Sequence, residues 1–161
     1  MISRARLRRY LSYNPKTGKF TWLVRNSPRV KIGDTAGSPA PGWYTRINID
    51  TNSYLAHRLA FVYMTGRCPK YVDHIDGNKA NNKWSNLREA TITQNAWNSK
   101  SHGDSTSRFK GVSWNKVDKK WRAQISIDGH NTFLGLFVDA RDAAKAYQDA
   151  ARKHHGEFSS R

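Results

Sequence analysis

Apolar residues in the first fifty positions alternate rather than cycle. Lys19-Phe20-Thr21-Trp22-Leu23-Val24 and Trp43-Tyr44-Thr45-Arg46-Ile47-Asn48-Ile49-Asp50 put aromatic and β-branched side chains at every second position, the period of a strand with one buried face. Turn chemistry precedes each: Asn14-Pro15-Lys16-Thr17-Gly18 before the first, and before the second the Gly-, Ser- and Pro-rich stretch Gly33 to Gly42, which reads as a loop. The period then lengthens. After a turn at Asp50 to Ser53 and the short run Tyr54-Leu55-Ala56, residues His57 to Thr65 gather Leu59, Ala60, Val62, Tyr63 and Met64 on one wide stripe. That pattern predicts a short helix closed by Gly66, and Pro69 prevents its continuation. Tyr71 to Ile75 reads as a brief strand entering the polar loop Asp76 to Asn82, and Ser85 to Arg88 as a second extended piece. Thr91 or Thr93 can cap a helix through Gln94, Asn95, Ala96, Trp97 and Asn98.

Ser99 to Ser107 contains no apolar residue, so residues 101–107 are expected to link two domains, 1–100 and 108–161. In the second, strands are predicted at Phe109 to Asn115, Trp121 to Ile127 and Thr132 to Phe137. A helix follows, with Asp139 at its cap, Asp142 completing an approximate capping box, an alanine-rich face and Gly156 at its end. The fold class is therefore α+β, ending in a small three-stranded antiparallel sheet packed on one helix.

Charge narrows the partner. Lys and Arg number 28 against 12 Asp and Glu, a formal charge of +16. The excess is greatest at the two ends, ten basic against two acidic residues in 1–50 and eleven against six in 108–161. Such an excess favours a polyanion, because each phosphate neutralised releases condensed counterions, and nucleic acid leads. An anionic membrane surface is the alternative, and it asks for a basic amphipathic helix, for which MISRARLRRYL is the one candidate. No stretch reads as a secretory h-region or a membrane span, so no membrane partner and a cytoplasmic site of action are expected. The single cysteine, Cys68, supplies neither an internal disulfide nor the paired thiolates of a zinc site. No zinc is expected; any metal is held by nitrogen and oxygen.

One constellation carries chemistry. Asp73-His74 is followed by Asn86 twelve residues after the histidine and Asn95 twenty-one after it. A carboxylate and a carboxamide oxygen suit a hard cation, Mg²⁺ or Mn²⁺, and an adjacent imidazole can take a proton from water near neutral pH. Other features have plainer readings. Asp76-Gly77 is a turn, Asp73 to Asn78 lacks the alternation of a calcium loop, and His154-His155 complements a helix dipole. Arg58 suits a phosphate or helix-end packing equally well.

At these residues the chain resembles the HNH endonucleases with the ββα-metal motif, of the phage and intron-associated homing type. The resemblance runs from about Leu7 to Lys100 through SYNPKTGKFTW, AHRLAFVYMTG, VDHIDGNKANNKWSNLREAT and QNAWN. It implies that domain 1–100 is a nuclease core preceded by a β-hairpin region and a basic segment. It further implies that His74 is the general base, that Asp73 and Asn95 hold one divalent metal on the scissile phosphate, and that Asn86 braces the motif and orients the histidine. The third letter of HNH is here Asn95, a departure from the name that the homing subgroup shares.

From Arg108 to about Phe158, through FKGVSWNK, KWRAQISIDG and NTFLGLFVDARDAAKAY, the chain resembles an AP2 DNA-binding domain. Alternation in the middle strand turns Trp121, Ala123, Ile125 and Ile127 toward the helix and Arg122, Gln124 and Ser126 away from it. An exposed sheet face can enter the major groove, where Arg reads guanine and Gln reads adenine. The resemblance adds Ser113 and Asn115 to that face, though Ser113, Asn115 and Ser126 stand where plant members carry arginines. Arg108, Lys110, Lys116, Lys119 and Lys120 are assigned to the DNA backbone. With two DNA-binding segments in one chain, a monomer on double-stranded DNA is expected. Three functions remain open: a metal-dependent DNA endonuclease, a non-catalytic DNA-binding regulator on an HNH scaffold, and a nuclease directed to RNA or branched DNA. The first requires Asp73 and Asn95 to share an ion and His74 to be open to solvent.

Overall fold

A computed structural model describes residues 2–99 and 107–159, so all but Ser107 of the expected 101–107 linker lies outside the described residues. The chain divides into two compact units, Met1–Asn95 and Ala96–Arg161.

The first unit opens with α1 (Arg4–Tyr10), capped by the Ser3 hydroxyl on the Arg6 N–H, and continues into β1 (Leu11–Asn14) and β2 (Lys19–Trp22). These strands form an antiparallel hairpin whose turn is the predicted Asn-Pro-Lys-Thr-Gly, with the Asn14 carboxamide accepting from the Lys16 and Thr17 N–H groups. The Gly33 to Gly42 stretch departs from its reading as a loop. β3 (Thr35–Ala36) pairs with β2, and β4 (Ser38–Ala40) pairs with β5 (Tyr44–Ile49) across a 3₁₀ turn at Pro41–Trp43. β6 (Asn52–Leu55) completes that second sheet and runs into α2 (Ala56–Thr65), whose stripe is buried as its pattern predicts. β7 (Tyr71–His74) and β8 (Leu87–Ala90) pair antiparallel, and α3 (Ile92–Asn98) follows. Asn86 belongs to a 3₁₀ turn, Trp84–Asn86, and not to a strand. Thr91 is the cap of α3: its hydroxyl accepts from the Gln94 N–H while the Gln94 side chain accepts from the Thr91 N–H.

Leu7, Leu11, Phe20, Ile47, Ile49, Leu59 and Val62 form the core of this unit. α1 buries Leu7 there, so it has no free apolar face for a membrane. Nor are its arginines all held out for a polyanion. Arg4 donates to the Tyr63 and Met64 carbonyls and Arg8 to Tyr63, supplying donors to the end of α2, which has no basic residue in its own last turn. Arg6 pairs with Asp50 at 2.6 Å. No helix among the described residues is long and apolar enough to cross a membrane.

In the second unit, β9 (Val112–Asn115), β10 (Lys120–Ile127) and β11 (His130–Phe137) form an antiparallel sheet of order β11-β10-β9, followed by α4 (Ala140–His155). Asp139 caps α4 by accepting from the Arg141 N–H. Ala123 and Ile125 face the small side chains of Ala143, Ala144 and Ala151. Close approach is enforced at Gly111, where an added Cβ would lie 2.1 Å from the Tyr147 ring.

A matching constraint holds the first unit. Gly18 sits at φ +73 with its Cα against the backbone of Asn82 and Lys83, and a Cβ there would lie 2.4 Å from both. Gly18→Ala is therefore expected to destabilise the first unit by roughly 2 kcal/mol or more through overpacking and a strained φ. Hydrogen exchange checks this by region: faster exchange across residues 11–22 and 71–90 with residues 112–155 unchanged, and the reverse pattern for Gly111→Ala.

Candidate active site

Asp73 and Arg88 stand opposite each other in the β7–β8 register. Both are largely buried, and Arg88 Nε and Nη2 each lie 2.8 Å from Asp73 Oδ2. A pair this far from water needs both members, since removing one leaves an uncompensated buried charge.

His74, the next residue, is 5% exposed. The expectation of an imidazole open to solvent is corrected here: β7 ends inside the unit, with the His57 and Tyr44 rings against His74. Its Nε2 lies 3.2 Å from Asn82 Oδ1. Asn82 Nδ2 donates to the Ala80 carbonyl, which leaves the carboxamide oxygen facing the ring. An amide oxygen only accepts, so His74 carries its proton on Nε2 and keeps the basic lone pair on Nδ1. Burial lowers the His74 pKa from 6.5, against the opposing influence of Asn82, Asp76 and Asp73. Burial thus favours the neutral form of the imidazole.

Asn82 is fixed in turn by the N-terminal hairpin. Tyr13 donates its hydroxyl to the Asn82 carbonyl at 2.7 Å, Gly18 packs on the same backbone, and the Trp84 N–H donates to the Pro15 carbonyl. Asn86 does not reach the ring. It braces the loop: its Nδ2 donates to Asp76 Oδ1 and to the Asn81 carbonyl, and its Oδ1 accepts from the Asp76 N–H. Asp76, read as a plain turn residue, is the hub of that loop. Burial alone would raise its pKa, but bonds from Asn81, the Asn78 N–H and Asn86 hold it below the ordinary carboxylate value.

Two aromatic neighbours complete the surroundings of His74. The His57 ring packs edge-on against it at 5.1 Å, and Tyr44 lies 5.2 Å from His57 and 6.2 Å from His74. Burial, then repulsion from His74 and Arg58, pushes His57 down to about 3. His57, Asn82, Asp76 and Tyr44 were all missed by sequence reasoning. Only the density of amides in Asn78-Lys79-Ala80-Asn81-Asn82, more than a turn needs, signals such a network.

Asn95 is exposed on α3, one turn beyond the Thr91 cap. Arg58 donates to the Lys70 carbonyl, so helix-end packing is the role the structure gives it. Lys110, assigned to a phosphate, is corrected: its ammonium donates to the carbonyls of Ala96, Trp97 and Ser99, capping the end of α3, and burial lowers its pKa to about 8. Asn115 folds back as well, accepting from Val117 and Asp118 N–H groups and donating to the Asp118 carboxylate, so it shapes the β9–β10 turn. Arg122 is exposed with its guanidinium over the Phe133 ring, opposite half-buried Ser113; Gln124 is half-buried; Arg108 and Lys116 are exposed.

For a metal, the donor set is thin. No group of three or more His, Cys, Asp or Glu able to hold an ion occurs among the described residues. Asp73 offers a carboxylate and Asn95 an amide oxygen, both hard donors. That set fits a cation such as Mg²⁺, which keeps most of its waters and takes substrate phosphate oxygens, and does not fit a closed protein cage.

The strand–loop–strand–helix arrangement from Tyr71 to Asn98, with its paired Asp and His at the end of the first strand, defines an HNH-type nuclease domain. A family model described as HNH endonuclease matches residues 54–97. It is 44% identical over 98 residues to Protein 3.8 of Escherichia phage T7, across 58% of this chain and 78% of that protein. It is 32% identical to an uncharacterised HNH endonuclease of Acanthamoeba polyphaga mimivirus, across 71% of this chain and 60% of that one. A solved structure reporting DNA binding and cleavage by the HNH homing endonuclease I-HmuI is similar over 54% of this chain and 49% of that one, at 26% identity and a TM-score of 0.42.

The buried imidazoles make stability depend on pH. Each His pKa is lowered on folding, so protons bind the unfolded chain more readily once the pH falls below the ordinary value of 6.5. Stability is complete above that pH. From His57 alone it falls by about 1.4 kcal/mol per pH unit down to its folded value near 3. Urea titrations between pH 7.5 and 4.5 are expected to show this slope, and His57→Phe to flatten it.

Proposed function

We propose that this chain is a divalent-metal-dependent endonuclease that hydrolyses phosphodiester bonds in double-stranded DNA, of the site-directed homing type. The observation that carries the reading is the His74 Nε2 to Asn82 Oδ1 bond beside Asp73 on the same strand. It supports a general base whose tautomer is set before substrate arrives. In the reaction, His74 Nδ1 takes a proton from a water as the water oxygen attacks phosphorus, and the bond to the 3′ oxygen breaks, that oxygen leaving with the electron pair. Asp73 and Asn95 would hold a divalent ion, which would supply charge neutralisation at the phosphate and the leaving oxygen. Asn86 and Asp76 keep the loop that carries Asn82 in register.

The exposed Arg122 and half-buried Gln124 on β10, together with exposed Arg108 and Lys116, are proposed to hold the duplex as an AP2-like sheet face does. Lys110 and Asn115 are left out of that surface because their polar atoms are committed within the unit. A monomer suffices for this arrangement.

A second reading, a DNA-binding protein on an inert HNH scaffold, is favoured by two observations: His74 is 5% exposed, and Arg88 already answers the charge of Asp73. The first reading is preferred because Asp73, His74, Asn86 and Asn95 are all present at the spacing of the HNH pattern, which an inert scaffold has no need to keep.

Supercoiled plasmid incubated with Mg²⁺ or Mn²⁺ separates the two. Wild type is expected to nick it, His74→Ala to lose about 10²- to 10⁴-fold in rate, and Asn82→Leu to lose less. Uncut plasmid with wild type and either ion, across several duplex substrates, leaves the scaffold reading in place. In either case, if the chain neutralises roughly 6 to 10 phosphates, affinity for duplex falls about 10³- to 10⁵-fold between 50 and 200 mM salt, measurable by fluorescence anisotropy.

A further inference from the structure

Trp43 is the most exposed aromatic residue of the first unit, at 85%. It stands at the end of the Pro41–Trp43 turn with φ +67, left-handed backbone that a bulky side chain rarely adopts. Neither core packing nor backbone ease accounts for an indole there, and a strained residue on a lip points to a use outside the fold.

The lip belongs to a cleft of about 870 Å³ walled by Pro39, Pro41, Trp43 and Tyr44, with Asn78 and Ala80 of the His74 loop on its other side. Its wall is shared with the catalytic imidazole, since the Tyr44 ring that lines it also lies 6.2 Å from His74. The rim is basic. Lys79 Nζ sits 4.9 Å from the Tyr44 ring centroid, and exposed Arg46 follows Tyr44 by two residues on the same face of β5. An apolar, aromatic-walled slot beside a general base, edged by two cations in a chain of charge +16, complements a stacked base flanked by phosphates.

We propose that this cleft receives the DNA strand next to the scissile phosphate, with the Trp43 indole stacked on a base and Lys79 and Arg46 on the flanking phosphates. The inference rests on the nuclease reading and adds to it the surface that grips the substrate at the point of cleavage. The β4–β5 pairing on either side of the Pro41–Trp43 turn holds the lip in place, with Tyr44 beside His74.

The test uses the full chain with Trp43→Ala and Trp43→Phe and a mixed-sequence 40-base-pair duplex, in EDTA for binding and in Mg²⁺ for nicking. Because Trp43 is exposed, neither substitution removes core packing, and unchanged thermal melts verify this. Loss of one base stack is expected to weaken binding roughly 5- to 150-fold in Trp43→Ala, with Trp43→Phe close to wild type. The quench of tryptophan emission on adding duplex should shrink in Trp43→Ala. Equal affinity, equal quench and equal nicking by Trp43→Ala overturn the inference while leaving the nuclease reading intact. So does a change in sedimentation with no change in DNA affinity, which assigns the cleft to a second copy of the chain. A wild type that binds no duplex overturns both.

Discussion

The bond between the His74 ring and the Asn82 carboxamide decides which nitrogen of a buried imidazole is basic, and much of the first unit is arranged to keep it. Asn82 lies in a loop, and a loop residue left to itself samples many rotamers at a conformational cost that would blur the tautomer. Here the loop is clamped from two sides. The N-terminal hairpin supplies the Tyr13 hydroxyl, the Pro15 carbonyl and the Gly18 backbone; from within, Asn86, Asp76 and Asn81 bond to one another. The hairpin is thus more than a neighbour of the motif. It is the surface on which the partner of the His74 ring is seated, which gives a physical reason for the SYNPKTGKFTW segment to lie in the same compact unit as Asp73 and His74.

The same unit shows how a strongly basic chain distributes its charge. Of the arginines in α1, two supply donors to the carbonyls that end α2 and one pairs with Asp50. Arg88 is placed against Asp73, and in the second unit Lys110 caps α3. Cations that composition alone assigns to a polyanion are therefore partly structural, and the formal excess overstates the surface that can meet phosphates. Among the cations that stay exposed are Arg46 and Lys79 beside the aromatic cleft, and Arg122 on β10.

Local patterning made the strands at 19–22 and 44–49, the α2 stripe with its Gly66 end, a threonine cap at 91 or 93 and the α4 helix from Asp139 legible, because each depends on residues within a turn or two. Non-local pairing was not legible. Thr35 to Ala40 looks like loop because Gly37, Ser38 and Pro39 interrupt it, yet β2 and β5 recruit its backbone N–H and C=O groups into ladders. Asn86 was assigned an extended backbone, but the 3₁₀ turn is what aims its amide at Asp76. The spacing of Asp73, His74, Asn86 and Asn95 singled these residues out without revealing what holds them in the fold. Which partner a buried imidazole finds, Asn82 and not Asn86, depends on how the Asp76 to Asn82 loop closes, and no linear spacing encodes that.

The Asp73–Arg88 pair sets the character of the site most sharply. A carboxylate with one oxygen held by a buried guanidinium attracts a cation less than a free one does, and the only other protein donor the family pattern provides is a neutral amide. On the nuclease reading, such a site holds a divalent ion weakly until a phosphate supplies the missing negative charge and oxygen ligands. Metal and DNA then strengthen each other's binding by the same factor, as linkage demands. A site of that kind stays chemically quiet in the absence of DNA and becomes competent where backbone, ion and His74 meet. That behaviour is consistent with an imidazole kept neutral and nearly enclosed until the strand arrives.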